Sequence, residues 1–214
     1  MVTTNCKINY LWNNGTQQDW QNELDKYYNV VKPSNVAVEQ ELDNLDVELV
    51  KNMTVNEFYN FLHDKYFVWK YTDSRWFKTT ISNLEKYLIE DNMFELEEIH
   101  HLMFKYNPEN IGNCLRNAQR IRGLGIAGAS GLLSLLFPKY FGTVDQFVVK
   151  SLLCIEGLTE HETLKAINPD SIKLKEGVLL VEIMKNKAVE LNKIFNTDTW
   201  TPRKIDKILW SIDR

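Results

Sequence analysis

A chain of 214 residues with 44% hydrophobic and 25% charged residues is ordinary for a folded domain, and it is long enough to bury a core as one large domain or two small ones sharing an interface. That balance excludes a disordered chain, and the longest apolar-leaning stretch, 131–137, is too short to cross a bilayer. The formal net charge of −4 conceals an asymmetry: residues 1–107 hold 10 Lys+Arg against 17 Asp+Glu, whereas residues 108–214 hold 15 against 12. The chain therefore divides into an acidic region, 1–107, and a mildly basic region, 108–214. Residues 1–14 lack the charged start and apolar middle of a secretion signal, so a cytoplasmic location and no membrane partner are expected. Cys6, Cys114 and Cys154 are too scattered for a disulfide framework or a four-cysteine cluster and read as reduced thiols.

Hydrophobic periodicity predicts a succession of amphipathic helices and almost no strand, hence an all-α fold. In chain order the first helices fall at 17–31, stopped by Lys32-Pro33, and at 36–51, with Leu42, Leu45 and Leu49 on one side. Thr54 with Glu57 is a capping-box signature opening a helix over 55–69. Asp73-Ser74 introduces 76–89, and 94–105 ends before Asn107-Pro108. Pro108 suits the first position of the next helix, which runs to about residue 121. Further helices are expected over 127–136, stopped by Phe137-Pro138, and over 144–154. Thr159 with Glu162 suggests another capping box, and Asn168-Pro169-Asp170 a turn. The last two helices cover 173–195, with Gly177 inside, and 202–212, where Ile205, Ile208, Leu209 and Ile212 share one face.

Six of the nine glycines (Gly112, Gly123, Gly125, Gly128, Gly131 and Gly142) fall within 31 residues, although glycine inside helices is costly. Something there requires bare backbone. Gly123-Leu124-Gly125 forms a hairpin between two helices, with Leu124 as its inward anchor and the free amides of the next helix facing outward. Amides and helix dipole together make a site for one phosphate. Arg116 and Arg120, one helical turn apart, and Arg122 beside the hairpin suit a phosphate backbone, or are merely solvated next to a tight turn. Asp145, opening a helix after Gly142-Thr143-Val144, reads from spacing alone as an N-cap.

The run Ile121-Arg122-Gly123-Leu124-Gly125-Ile126-Ala127-Gly128-Ala129, followed by an apolar helix and then Phe141-Gly142-Thr143-Val144-Asp145-Gln146-Phe147-Val148, resembles the helix-hairpin-helix superfamily of DNA glycosylases. The resemblance covers roughly residues 108–155. It implies a two-lobed helical bundle containing a helix-hairpin-helix motif, with double-stranded DNA as partner. It implies a DNA-binding role for Arg116, Arg120, Arg122, Gly123, Leu124, Gly125, Ala127 and Gly128. It also implies that Asp145 is the catalytic carboxylate, stabilising an oxocarbenium-like sugar as the base departs in N-glycosidic hydrolysis. No cofactor or metal is expected, apart from a monovalent cation at the hairpin. Ala127 stands where bifunctional members carry a nucleophilic lysine, so no lyase step of that type is implied. Arg122 stands where proline is common, and Gln146-Phe147 replaces a frequent Thr-His pair. A non-catalytic descendant that binds DNA or a protein partner is the alternative, and a helical interaction domain that never meets nucleic acid is a third.

Two other groupings stand out. Phe58, Tyr59, Phe61, Tyr66, Phe67, Trp69, Tyr71, Trp76 and Phe77 are mainly core, with one or two available to line a base pocket. Glu97, Glu98, His100 and His101 have the wrong spacing for a metal site and read as a solvated acidic face. Lys173, Lys175, Lys185, Lys187 and Lys193 are expected to solvate a helix.

Overall fold

The computed structural model describes residues 7–212 and 214, so Cys6 lies outside the described residues. Every regular element among them is helical. The acidic half contains α1 (Lys7–Asn14), α2 (Gln17–Asp25), α3 (Tyr27–Val30), α4 (Val36–Asp43), α5 (Val47–Lys51), α6 (Val55–Phe61), α7 (Phe67–Lys70), α8 (Ser74–Ile89) and α9 (Met93–Lys105). The second half contains α10 (Ile111–Ala118), α11 (Ile126–Leu136), α12 (Gln146–Leu153), α13 (His161–Lys165), α14 (Leu174–Ile194) and α15 (Pro202–Ser211). None of these helices is both long and apolar enough to cross a membrane.

The sequence does not announce α1, whose eight residues are too few for a clear period; Ile8, Leu11 and Trp12 nevertheless enter the core. The expected helix over 17–31 breaks at Lys26. The one over 36–51 breaks at Asn44, and Asp46 then recaps it by accepting from the amides of Glu48 and Leu49. This break turns Leu49 out to solvent, 66% exposed, while Leu42 stays buried. Thr54 and Glu57 form the expected reciprocal cap on α6. Between α6 and α7 the backbone widens into a π-helical turn, Leu62–Tyr66. Such turns are frequent at functional sites, and this one precedes Trp69 and Lys70.

Pro108 does not open α10. It lies in a turn, and the Asn110 side chain caps the helix instead, accepting from the amide of Asn113 at 3.1 Å. The Thr159/Glu162 box does not form, because α13 begins only at His161 with no side-chain cap. Asn168 does close its turn, accepting from the amide of Asp170. Lys187 is not a solvating lysine: it is 4% exposed, and its amine donates to the Trp12 carbonyl and to Glu190.

One core cluster draws residues from both halves of the chain. Helix α10 packs on α9, α11 and α14, and α15 packs on α2, α3, α11, α12 and α14. Gly177 is required by packing, since a Cβ there would fall 2.4 Å from Ile126 Cγ2. Ile205, Ile208, Leu209 and Ile212 are all buried, and each full burial contributes roughly 1.5–3 kcal/mol, so α15 is a principal clasp between the halves.

Candidate functional site

The connection from α10 to α11 is tight. The Leu124 amide donates to the Ile121 carbonyl at 2.9 Å, and Gly123 sits at φ 92°. Gly123 also touches α8: a Cβ there would meet the Thr80 carbonyl oxygen at 2.5 Å. Leu124 is buried at 7% exposure, as an anchor should be. Gly125 caps α11 with extended backbone and no side-chain hydrogen bond, and open space surrounds it. Ala127 is half-buried and Gly128 buried. The hydroxyl of Tyr66 donates to the Gly128 carbonyl and that of Tyr71 to the Gly123 carbonyl.

The three arginines are engaged within the chain. Arg122 forks between Glu90 at 2.6 Å and Glu95 at 3.0 Å, and its guanidinium lies 4.7 Å from the centre of the Tyr87 ring. Arg120 pairs with Glu98 at 3.1 Å, and Arg116 donates to Asn113. Sequence alone did not show these carboxylates, because they arrive from the C-terminal cap of α8 and from α9.

Asp145 caps α12 as expected, its Oδ1 accepting from the amides of Phe147 at 2.9 Å and Val148 at 3.1 Å. Its Oδ2 has no hydrogen bond among the described residues. The loop before it is pinned from two helices. On the α11 side, the Val144 amide donates to the buried Ser130 hydroxyl and Thr143 contacts Ser134. On the α15 side, the Thr143 amide donates to Asp206 at 2.7 Å. A carboxylate held this way keeps its position.

Asp145 lies in the wall of a cavity of about 360 Å³ that also presents Tyr27, Glu39, Trp69, Lys70, Phe147, Arg203, Asp206, Trp210 and Arg214. Its volume lies within the usual range for small-molecule sites, about 300–1,000 Å³. Of the aromatic group at 58–77, Trp69 is the one in this wall. Trp210 makes an edge contact with Phe147 at 6.4 Å and packs on Tyr27 at 5.6 Å. The guanidinium of Arg214 lies 3.6 Å from the Phe147 ring centre and 3.8 Å from that of Trp210.

Beneath the cavity is a buried charge network. Arg203 Nη2 donates to Glu39 at 2.9 Å and Nη1 to both oxygens of Asp206 at 3.3 Å, while its Nε is buried without a partner among the described residues. Lys207 pairs with Asp43, and Tyr27 and Trp69 both donate to Glu39. Burial opposes ionisation of Asp43, but Arg203 and Lys207 prevail and hold its carboxyl below the usual range. At Asp206 burial prevails and raises the carboxyl, against Arg203 and the Thr143 amide. A signal for this network exists in the sequence. Arg203, Asp206, Lys207 and Trp210 follow i, i+3, i+4, i+7 spacing on a helix whose other face is apolar.

Elsewhere the chemistry is structural. The Cys114 thiol is buried and pushed up to about 11 by that burial, which makes it inert as a nucleophile. His100 is not a solvated surface residue: it is 6% exposed, donates from Nε2 to the Val50 carbonyl at 2.9 Å and stacks on Phe58. Among the described residues no group of histidines, cysteines and carboxylates could hold a metal ion. Comparison of the chain with family models, with curated proteins and with solved structures gives no match.

Proposed function

We propose that this chain is a DNA-binding protein of the helix-hairpin-helix glycosylase type. Its cavity receives a base turned out of the duplex, and Asp145 assists hydrolysis of the N-glycosidic bond. The observation that carries this reading is the presence of Asp145, with one oxygen uncommitted among the described residues, in the wall of a cavity of about 360 Å³ built from aromatic rings and cations. An extruded base must stack on something, and Trp69, Phe147 and Trp210 supply faces of the right kind. The uncapped, open start of α11 at Gly125 agrees with a phosphate contact there. In this reading the acidic and basic regions act as two lobes that flank the cleft, and the hairpin itself supplies no lyase lysine.

The test is fluorescence anisotropy of two short duplexes, one unmodified and one with a stable abasic-site analogue, at two salt concentrations. Excision assays on damaged bases with Asp145→Asn as control follow. Tighter, salt-sensitive binding of the analogue and excision lost in Asp145→Asn are expected. Failure to bind either duplex would sink the reading.

One observation favours a non-catalytic module as the second reading. Arg120 and Arg122 are already paired with Glu98, Glu90 and Glu95, which lowers the positive potential beside the hairpin. Binding that survives in both proteins with no excision from either is its signature.

A further inference from the structure

Phe147 and Trp210 offer two of the ring faces on which a base would stack, and one side chain lies against both. The guanidinium carbon of Arg214 is 3.6 Å from the Phe147 ring centre and 3.8 Å from that of Trp210. Carbon atoms in optimal contact sit about 3.5–4.0 Å apart, so no second planar group fits between this cation and either ring. All three residues line the cavity that holds Asp145, and the Asp145 charge attracts the guanidinium. Yet Arg214 is loosely tied. Its guanidinium makes no hydrogen bond or ion pair among the described residues, and the residue as a whole is exposed. Its backbone amide is bonded, to the Ser211 carbonyl at 3.2 Å. Arg203, the other arginine of the cavity, is fixed by Glu39 and Asp206. Arg214 can therefore swing aside without breaking a side-chain hydrogen bond, whereas Arg203 cannot.

We propose that Arg214 is a displaceable plug on the stacking faces of this cavity. Its guanidinium takes the place on Phe147 and Trp210 that an incoming planar ring requires, and the ring enters as Arg214 swings out. That this ring is a base turned out of a duplex rests on the DNA reading above. A cation over one exposed aromatic face is worth roughly a two- to fivefold preference, so two such contacts favour the plugged arrangement by about four- to twenty-five-fold. Apparent affinity for the ring falls by the same factor. A duplex that lacks the base does not need these faces and is bound without moving the plug. The positive charge of Arg214 thus opposes entry of the base, the reverse of what a basic side chain does when it neutralises phosphate.

Two measurements on the full chain test this. Hydroxyl-radical footprinting, read by peptide mass spectrometry, should show Phe147 and Trp210 oxidised several-fold faster in Arg214→Ala than in the unaltered protein, with the exposed Trp76 unchanged. Anisotropy should then compare two duplexes, one with 2-aminopurine opposite a missing base, which is readily extruded, and one with the stable abasic analogue. Arg214→Ala should raise the preference for the first over the second about fivefold or more. Unchanged oxidation of Phe147 and Trp210 would overturn the proposal. So would a preference that stays level or falls, the mark of an arginine that holds the nucleic acid. Faster oxidation with no affinity for either duplex in either protein would keep the plug and overturn the DNA reading instead.

Discussion

Arg203 and Glu39, 164 residues apart in the chain, meet in the interior with Nη2 donating to Oε1 at 2.9 Å. The same guanidinium reaches Asp206 and lies 5.3 Å from the centre of the Trp69 ring, so one side chain joins α15, α4 and α7 under the cavity floor. Burying these charges is expensive, and the arrangement holds because each carboxylate has several donors.

Breaking this node should therefore be severe. Arg203→Met leaves Glu39 and Asp206 without their shared counter-charge, and a loss of about 3–5 kcal/mol in urea unfolding is expected. Arg203→Lys should recover little, since an ammonium cannot bridge two carboxylates as a planar fork does. A loss below about 1 kcal/mol would mean that the network is as solvated as a surface pair.

At Asp145 the structural and chemical roles separate by substitution. Asn caps a helix as well as Asp, so Asp145→Asn should leave the urea midpoint almost unchanged. Asp145→Ala removes both acceptor bonds to α12 and should cost about 1 kcal/mol. If Asn destabilises as much as Ala, the carboxylate charge itself supports the fold and the variant is no clean catalytic control.

The two glycines of the α10–α11 connection should respond oppositely. Gly123→Ala combines φ 92° with a Cβ 2.5 Å from the Thr80 carbonyl oxygen and should destabilise by more than about 1 kcal/mol, lowering Tm by about 2–4 °C or more. Gly125→Ser has open space and supplies the missing cap on α11, so stability should hold or rise by a few tenths of a kcal/mol (roughly). If the α11 amides hold a phosphate, the same serine competes for them, and duplex affinity should fall. An unchanged affinity would remove α11 from the interface.

His100 supplies a pH dependence. Burial lowers its pKa from the ordinary 6.5, so between the two values the unfolded chain binds the proton and the folded chain does not. Its contribution to stability is complete above the unfolded value and is lost as pH falls from about 6.5 towards the folded value. Urea midpoints measured from pH 7.5 to 5 should decline, and His100→Gln should flatten that decline. Parallel curves for the two proteins would show that other groups cause it.

Lys70→Arg offers a further stability check. The amine has no hydrogen bond or ion pair to lose among the described residues, so the unfolding midpoint should move little. A large drop would mean that the Lys70 stem on Gly131 is a packing element first.

What the sequence determined by itself was local. The capping box at Thr54, the turn at Asn168, the buried face of α15, the inward Leu124 and the cap at Asp145 all depend on neighbours within a turn or two, and each is present as read. Pro108 failed because a competing cap lay close by, Asn110, and Thr159 failed because α13 starts only at His161, with no side-chain cap. The site was only half visible. Gly123 and Asp145 stand out in one short stretch, but Glu39, Trp69, Lys70, Arg203 and Trp210 come from segments far apart. Periodicity tells which face of a helix is buried, not what it is buried against. Tertiary packing alone decided that Glu90 and Glu95 would hold Arg122, that Arg203 would find Glu39, and that Lys70 would reach the cavity, because each outcome depends on the angle at which separately folded helices meet.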